Sequence, residues 1–304
     1  MNEDLKLAEK IKRLKRENNA IILAHNYQIG EVQDIADFIG DSLDLSRKAA
    51  QTNADVIVFC GVHFMAETAA ILSPDKVVLL PDENAGCPMA NMINGEKLRA
   101  EKAKYPEATV VTYINSTAEV KAESDYCCTS SNAINLVRSL EDVDDILFVP
   151  DKYLGSYIAS KTGKNIILWN GFCPTHVKIR PEDIEARRKE HPRAKVMVHP
   201  ECIPEVIALA DEVLSTGGMV KFAGETDAKE IVVGTEVGII HRLKKENPEK
   251  VFYPASTLAV CPNMKLINLE KVLWALEDMV YQVKVPVEIA QRARRAIDRM
   301  LEVQ

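Results

Sequence analysis

The sequence has no apolar run approaching the ~18 residues that a membrane-spanning helix needs, which argues against a helical membrane protein. It has no excess of basic residues. The 38 Lys and Arg stand against 45 Asp and Glu, and the net charge of −7 speaks against nucleic acid as a partner. Met1 to Lys15 is charged throughout and lacks the apolar stretch of a secretory leader. The seven cysteines are odd in number and show no C-x₂₋₄-C pairing. A disulfide framework is therefore not expected, and the cytoplasm, where thiols stay free or bind metal, is. The GxGxxG, GxxxxGK[ST], HExxH and GxSxG motifs are all missing, so dinucleotide, nucleoside triphosphate, zincin and serine-hydrolase chemistries lose their usual support. With 47% hydrophobic and 27% charged residues, 13 Gly and 14 Pro, the chain is neither collagen-like nor disordered.

What is present is a repeat. Short apolar runs alternate with helical patterns, as in a parallel sheet wrapped by helices. Ile21–Ala24, Val110–Thr112 and Val196–Val198 run into His25, Tyr113 and His199, at intervals of 88 and 86 residues. Ser42, Ser130 and Thr216 close a second series that opens at Asp37, Asp125 and Asp211, with the same two intervals. A third series comprises Val56–Gly61, Ile146–Pro150 and Ile231–Gly234. A fourth ends each unit with a strand and then Cys87, Cys173 or Cys261, each followed by proline. At roughly 150 residues per domain, 304 residues suggest two domains, but the register overrides that prior. It predicts an α/β chain of three homologous lobes, at residues 1–106, 107–192 and 193–304. Amphipathic helices flank them, one carrying Leu5, Ala8, Ile11 and Leu14, the other opened by Pro286. Arg292, Arg294, Arg295 and Arg299 read as a solvated face of the second. Residues just beyond strand ends are displayed where open parallel sheets bind ligands, so three lobes about a pseudo-threefold axis would bring the equivalent positions into one cavity.

Chance would supply about 0.3 Cys-Pro pairs at average proline frequency, whereas three occur in register. Cys60, Cys127, Cys128 and Cys202 fall outside it and read as small buried hydrophobes. Thiolates select zinc or iron–sulfur, and a structural zinc site is closed by four ligands. Three thiolates with no equivalent fourth suit a [4Fe–4S] cluster with one open iron. The strand ends His25-Asn26-Tyr27, Tyr113-Ile114-Asn115 and His199-Pro200-Glu201 supply donors, acceptors and proton carriers, with Glu201 a candidate base if a dry site raises its pKa. The hydroxyls of Ser42, Ser130 and Thr216, beside helix starts, fit phosphate or carboxylate recognition.

The segments Ile22-Leu-Ala-His-Asn-Tyr27, Gly40-Asp-Ser42, Cys87-Pro-Met-Ala-Asn91, Tyr113-Ile-Asn115, Cys128-Thr-Ser130, Cys173-Pro-Thr-His176, Val198-His-Pro-Glu-Cys202, Ser215-Thr-Gly217, Gly234-Thr-Glu236 and Cys261-Pro-Asn-Met-Lys265 closely resemble the quinolinate synthase family, in order and without large gaps. The resemblance implies a transferase of NAD biosynthesis built from three three-layer αβα lobes about a pseudo-threefold axis. It would condense iminoaspartate with dihydroxyacetone phosphate to give quinolinate, phosphate and water. It implies an oxygen-sensitive [4Fe–4S] cluster on Cys87, Cys173 and Cys261. The substrate site would be lined by His25, Ser42, Tyr113, Ile114, Asn115, Ser130, His199, Pro200, Glu201, Ser215 and Thr216, with Tyr27, Tyr113, His199 and Glu201 in catalysis. A functional link to an aspartate-oxidising enzyme follows from the unstable imine, and neither nucleic acid nor membrane is expected as a partner. An iron–sulfur hydro-lyase and a zinc-stabilised scaffold are the competing readings; the first would need no phosphate site, and the second would be colourless and stable in air.

Overall fold

The computed structural model describes residues 3–303. Three separate four-stranded sheets form, one per repeat, and every strand pairing in them is parallel. The first holds β1 (Ala20–His25), β2 (Phe38–Gly40), β3 (Val56–Cys60) and β4 (Val77–Leu79) in the order β2-β1-β3-β4. β5 (Thr109–Tyr113), β6 (Tyr126–Cys128), β7 (Asp145–Val149) and β8 (Asn165–Leu168) repeat it as β6-β5-β7-β8. The third sheet has β9 (Lys195–Val198), β10 (Glu212–Val213), β11 (Glu230–Gly234) and β12 (Val251–Pro254) in the order β10-β9-β11-β12. Helices flank each sheet, which gives three αβα lobes as the register predicted.

The two central strands of each sheet are helix-covered on both faces, so their sequences are near-continuous Val and Ile runs rather than alternating ones. Val56, Ile57, Val58, Phe59 and Cys60 of β3 are all buried. The outer strand β8 keeps exposed ends, with Leu168 39% accessible. Truncating a central residue, as in Ile57→Ala, would cost about 2–5 kcal/mol.

Asp37, Asp125 and Asp211 have a role that the sequence did not reveal. Each carboxylate accepts a backbone N–H near the start of the first strand of its lobe, from Ile22, Val110 and Val196, at 2.8, 2.9 and 2.8 Å. The same three residues return their own N–H to the carbonyls of Ile22, Val110 and Val196. This clasp fixes the register of the first two strands and explains an acidic residue at the same point of each repeat.

The helix Val287–Glu302 runs back from the third sheet onto the first two lobes. Its Ala293, Ala296, Ile297 and Met300 are buried. Arg292, Arg295 and Arg299 on it are exposed as expected, and three of its arginines also take partners. Arg292 pairs with Glu123 at 2.6 Å, Arg294 reaches the carbonyls of Ile71 and Leu72, and Arg299 donates to the carbonyl of Asp125. The free carbonyls at a helix end and a strand entry attract the guanidinium groups. On the first helix, Glu3–Glu17, Ile11 is buried while Leu5 stays 57% exposed. Among the described residues no helix is long and apolar enough to cross a membrane.

Candidate active site

The strand order places a topological switch between the two central strands of each lobe, because the chain leaves them toward opposite edges. Loops leaving those strands therefore border a crevice. The three crevices open on one cavity. His25, Tyr27, Ser42, Cys87, Tyr113, Asn115, Ser130, Cys173, His199, Glu201, Thr216 and Cys261 all line it. Ile114, Pro200 and Ser215 are not in its wall. Ile114 is buried, with its N–H on the carbonyl of Cys128. Ser215 caps the helix Thr216–Glu225 through the N–H of Gly218. Cys60, Cys127, Cys128 and Cys202 are fully buried outside the wall, and burial pushes all four thiols up.

Two imidazoles are fixed by the same local device. The Nδ1 atoms of His25 and His199 accept the N–H of the residue two positions on, Tyr27 at 3.2 Å and Glu201 at 3.3 Å. An Nδ1 that accepts leaves the proton on Nε2, and Nε2 of His199 faces Ser130 Oγ at 3.2 Å. Burial lowers both pKa values, His25 to about 4 and His199 to about 3, so both rings are neutral Nε2–H donors near pH 7.

Glu201 is the hub of the polar network. Its Oε1 accepts from Tyr113 Oη at 2.6 Å, and its Oε2 lies 2.8 Å from Nδ1 of His176. A dry environment alone would raise this carboxyl. The charges of His176 and His199, with hydrogen bonds from His176 and the Tyr113 hydroxyl, outweigh burial and hold it below the ordinary carboxylate range. The expectation of a raised Glu201 pKa is therefore corrected: the group is a carboxylate. Burial, with the charge of Glu201 second, pushes the phenols of Tyr27 and Tyr113 well above their ordinary value, so both remain proton donors.

His176 carried no role in the sequence reading although the Cys-Pro-Thr-His segment contained it. Its Nε2 meets Thr235 Oγ1 at 2.8 Å, its Nδ1 lies 3.2 Å from Cys173 Sγ, and its ring stacks on His199 with centroids 4.7 Å apart. The equivalent repeat positions hold Ala90 and Met264, so no threefold signal marked it. Only its place three residues after a cysteine could have done so. Donor atoms of Cys173, His176 and Glu201 lie within 4.8 Å of one another, a group able to hold a metal ion.

The hydroxyl series sits as expected at helix starts. Ser42 and Thr216 are the first residues of the helices Ser42–Gln51 and Thr216–Glu225, and Ser130 precedes Ala133–Ser139 by a turn. Asp41 joins the three lobes here. One oxygen caps the first helix through the N–H groups of Leu43 and Asp44, and the other accepts from the hydroxyls of Ser131 and Ser215.

The three cysteine loops are held identically. The N–H groups of His63, Lys152 and Val237, each just past a central strand, bond the carbonyls of Ala85, Gly171 and Ala259 at 2.7, 2.9 and 3.0 Å. Each of those carbonyls lies two residues before Cys87, Cys173 or Cys261. The three thiols are free and face the same cavity. Burial raises all three pKa values, Cys87 to about 12, and Cys87 feels the charge of Cys261 as Cys173 feels that of Cys87. Three desolvated thiols, one from each lobe, facing the same cavity fit a soft inorganic cofactor, whose binding would draw off their protons.

Three αβα lobes sharing a cavity lined by thiols, neutral imidazoles and a buried carboxylate define a small-molecule enzyme with a metal-binding capacity. A family model described as quinolinate synthetase A protein (NadA) matches residues 9–302. A quinolinate synthase of Dehalococcoides mccartyi strain CBDB1 is 61% identical over 297 residues, covering 98% of each chain. Those of Thermodesulfovibrio yellowstonii and Methanosarcina barkeri are 57% and 55% identical, over 96% and 99% of this chain and 97% and 99% of their own. The chain belongs to the quinolinate synthase family of enzymes.

Proposed function

We propose that the chain condenses iminoaspartate with dihydroxyacetone phosphate to quinolinate, phosphate and water in NAD biosynthesis, in the cytoplasm, with a [4Fe–4S] cluster held by Cys87, Cys173 and Cys261. The observation that carries the reading is the convergence of one thiol from each lobe on the cavity that also gathers His25, Tyr113, His199 and Glu201. The family supports the product, and the thiols, supported by identical backbone bridges, suit a cluster with one iron free of protein ligands. When bound, that iron supplies a Lewis acid.

The remaining chemistry belongs to the chain. Ser42, Ser130 and Thr216, beside helix N-termini, hold phosphate and carboxylate groups. Thr216 is kept in place by Asn26, whose amide donates to its hydroxyl at 2.9 Å. The Nε2–H groups of His25 and His199 donate to substrate oxygens without adding charge. Tyr113 and Glu201 form the proton-transfer pair: the phenol gives its proton to a departing oxygen and the carboxylate accepts one from carbon. Tyr27, whose hydroxyl lies 2.5 Å from Thr235 Oγ1, serves the imine end of the same relay. An enzyme that oxidises aspartate would supply the unstable imine.

Anaerobic incubation of the reconstituted protein with iminoaspartate and dihydroxyacetone phosphate tests the reading. Quinolinate and phosphate should form in equal amounts. No quinolinate from protein with a full complement of iron and sulfide would overturn it.

A further inference from the structure

The three cysteine loops share their backbone bridges but differ in the side chain placed two residues beyond each central strand. The first lobe has Val62 there and the second Asp151, fully buried, interacting with the amide of Cys173 and with no cation among the groups acting on it. The third has Glu236, fully buried and paired with a cation. Glu236 Oε1 accepts the N–H of Cys261 itself at 3.1 Å and lies 3.0 Å from Lys265 Nζ. Its Oε2 accepts the N–H of Gly238 at 2.7 Å. The Lys265 ammonium also donates to the carbonyl of Tyr27, in the first lobe. Space is consumed around this junction: a Cβ at Gly238 would lie 2.6 Å from Lys265 Nζ, 2.7 Å from the Tyr27 carbonyl and 2.8 Å from Glu236 Oε2. One ammonium thus ties the backbone of Tyr27 to the carboxylate that holds the amide of Cys261.

We propose that Glu236 and Lys265 are a positioning pair that fixes Cys261 against Tyr27 and whose matched charges keep the reduction potential of the cluster bound by Cys261 from shifting in either direction. The proposal rests on the cluster reading above. Each charge alone would bias the cluster, because added negative charge nearby disfavours the reduced state and added positive charge favours it. As a pair they cancel, and the hydrogen bond to the Cys261 amide remains. The second lobe has no such cancelling cation among the described residues, so the effect belongs to the third loop.

The test is a redox titration of the reconstituted full chain, wild type beside E236Q, K265M, K265R and the double variant E236Q/K265M, each with iron and sulfide measured. Gln at 236 can still accept from Cys261. E236Q should raise the midpoint potential and K265M should lower it, each by about a tenfold change in the oxidised-to-reduced ratio, about 59 mV for one electron. K265R and the double variant should stay near wild type. Shifts of the same sign, or none, would overturn the proposal while leaving the cluster reading intact. If the wild type takes up no cluster, both fall. Where E236Q fails to fold, the K265M and K265R pair decides: an unmoved K265M potential refutes the pairing.

Discussion

Glu201→Gln isolates the charge of the hub from its shape. Gln keeps the volume, its carbonyl can still accept from Tyr113, and its amide can donate to Nδ1 of His176, so the two contacts at 2.6 and 2.8 Å survive as neutral hydrogen bonds. What disappears is a carboxylate only 3% exposed. A hydrogen bond to a charged group contributes about 1.5–3 kcal/mol against about 1 for a neutral one. Two such bonds downgraded together, with the proton acceptor removed, amount to about 3 kcal/mol in the transition state, or more than a hundredfold in kcat at 1.36 kcal/mol per decade. KM should move by less than about threefold, because the phosphate and carboxylate holders are untouched. Anaerobic steady-state assays on protein of measured iron and sulfide content read this out. A second measurement uses cluster-free protein: the charge of Glu201 is the largest cause after burial that raises the Cys173 thiol, so E201Q should alkylate faster at Cys173 at alkaline pH. Unchanged turnover with an intact cluster would refute the role given to Glu201.

Cys87→Ala should abolish both cluster and activity, whereas Cys60→Ala, buried outside the cavity wall, should keep full iron and sulfide content; normal content in the Cys87 variant would sink the ligand assignment. Gly171→Ala should lower cluster content without touching a thiol, since its Cβ would stand 2.3 Å from the backbone carbonyl of Pro150 and force the Cys173 loop away; wild-type content would show that the loop gives more freely than its packing indicates. Stability should fall on acidification from about pH 6.5 toward 4, because unfolding lets His25 and His199 take up protons that the folded rings refuse; the shift of His25 alone is worth about 3 kcal/mol. The contribution of Glu201, whose folded pKa is depressed, is lost only below the ordinary carboxylate range. Urea midpoints between pH 5 and 7 should therefore slope in the wild type and flatten in H25N/H199N, and equal slopes would contradict the assignment.

The sequence disclosed what repeats and concealed what does not. Strands, hydroxyls and Cys-Pro turns recur at 86 and 88 residues, so three sheets and a shared set of loop positions could be inferred from spacing alone. His176, Glu236 and Lys265 occupy positions whose counterparts are different residue types, and no register points to them. Asp41 was hidden differently. It stands next to Ser42, yet its importance lies in accepting hydroxyls from Ser131 and Ser215, two other lobes, which only the folded chain brings near. The pKa of Glu201 was misjudged because burial was foreseen and its donors were not. Arg292, Arg295 and Arg299 of the last helix are exposed as expected, but the carbonyls that Arg294 and Arg299 reach leave no trace in a sequence.

The division of the thiols among three lobes has a consequence for synthesis. Cys87 and Cys173 are made well before Cys261, and the helix Val287–Glu302 that packs back onto the first two lobes is made later still. A nascent chain stopped before residue 261 has two soft donors and an open crevice, too few to hold what three would hold. On the cluster reading, all three donors exist only once residue 261 has been made, so a chain truncated before it would lack colour as well as activity.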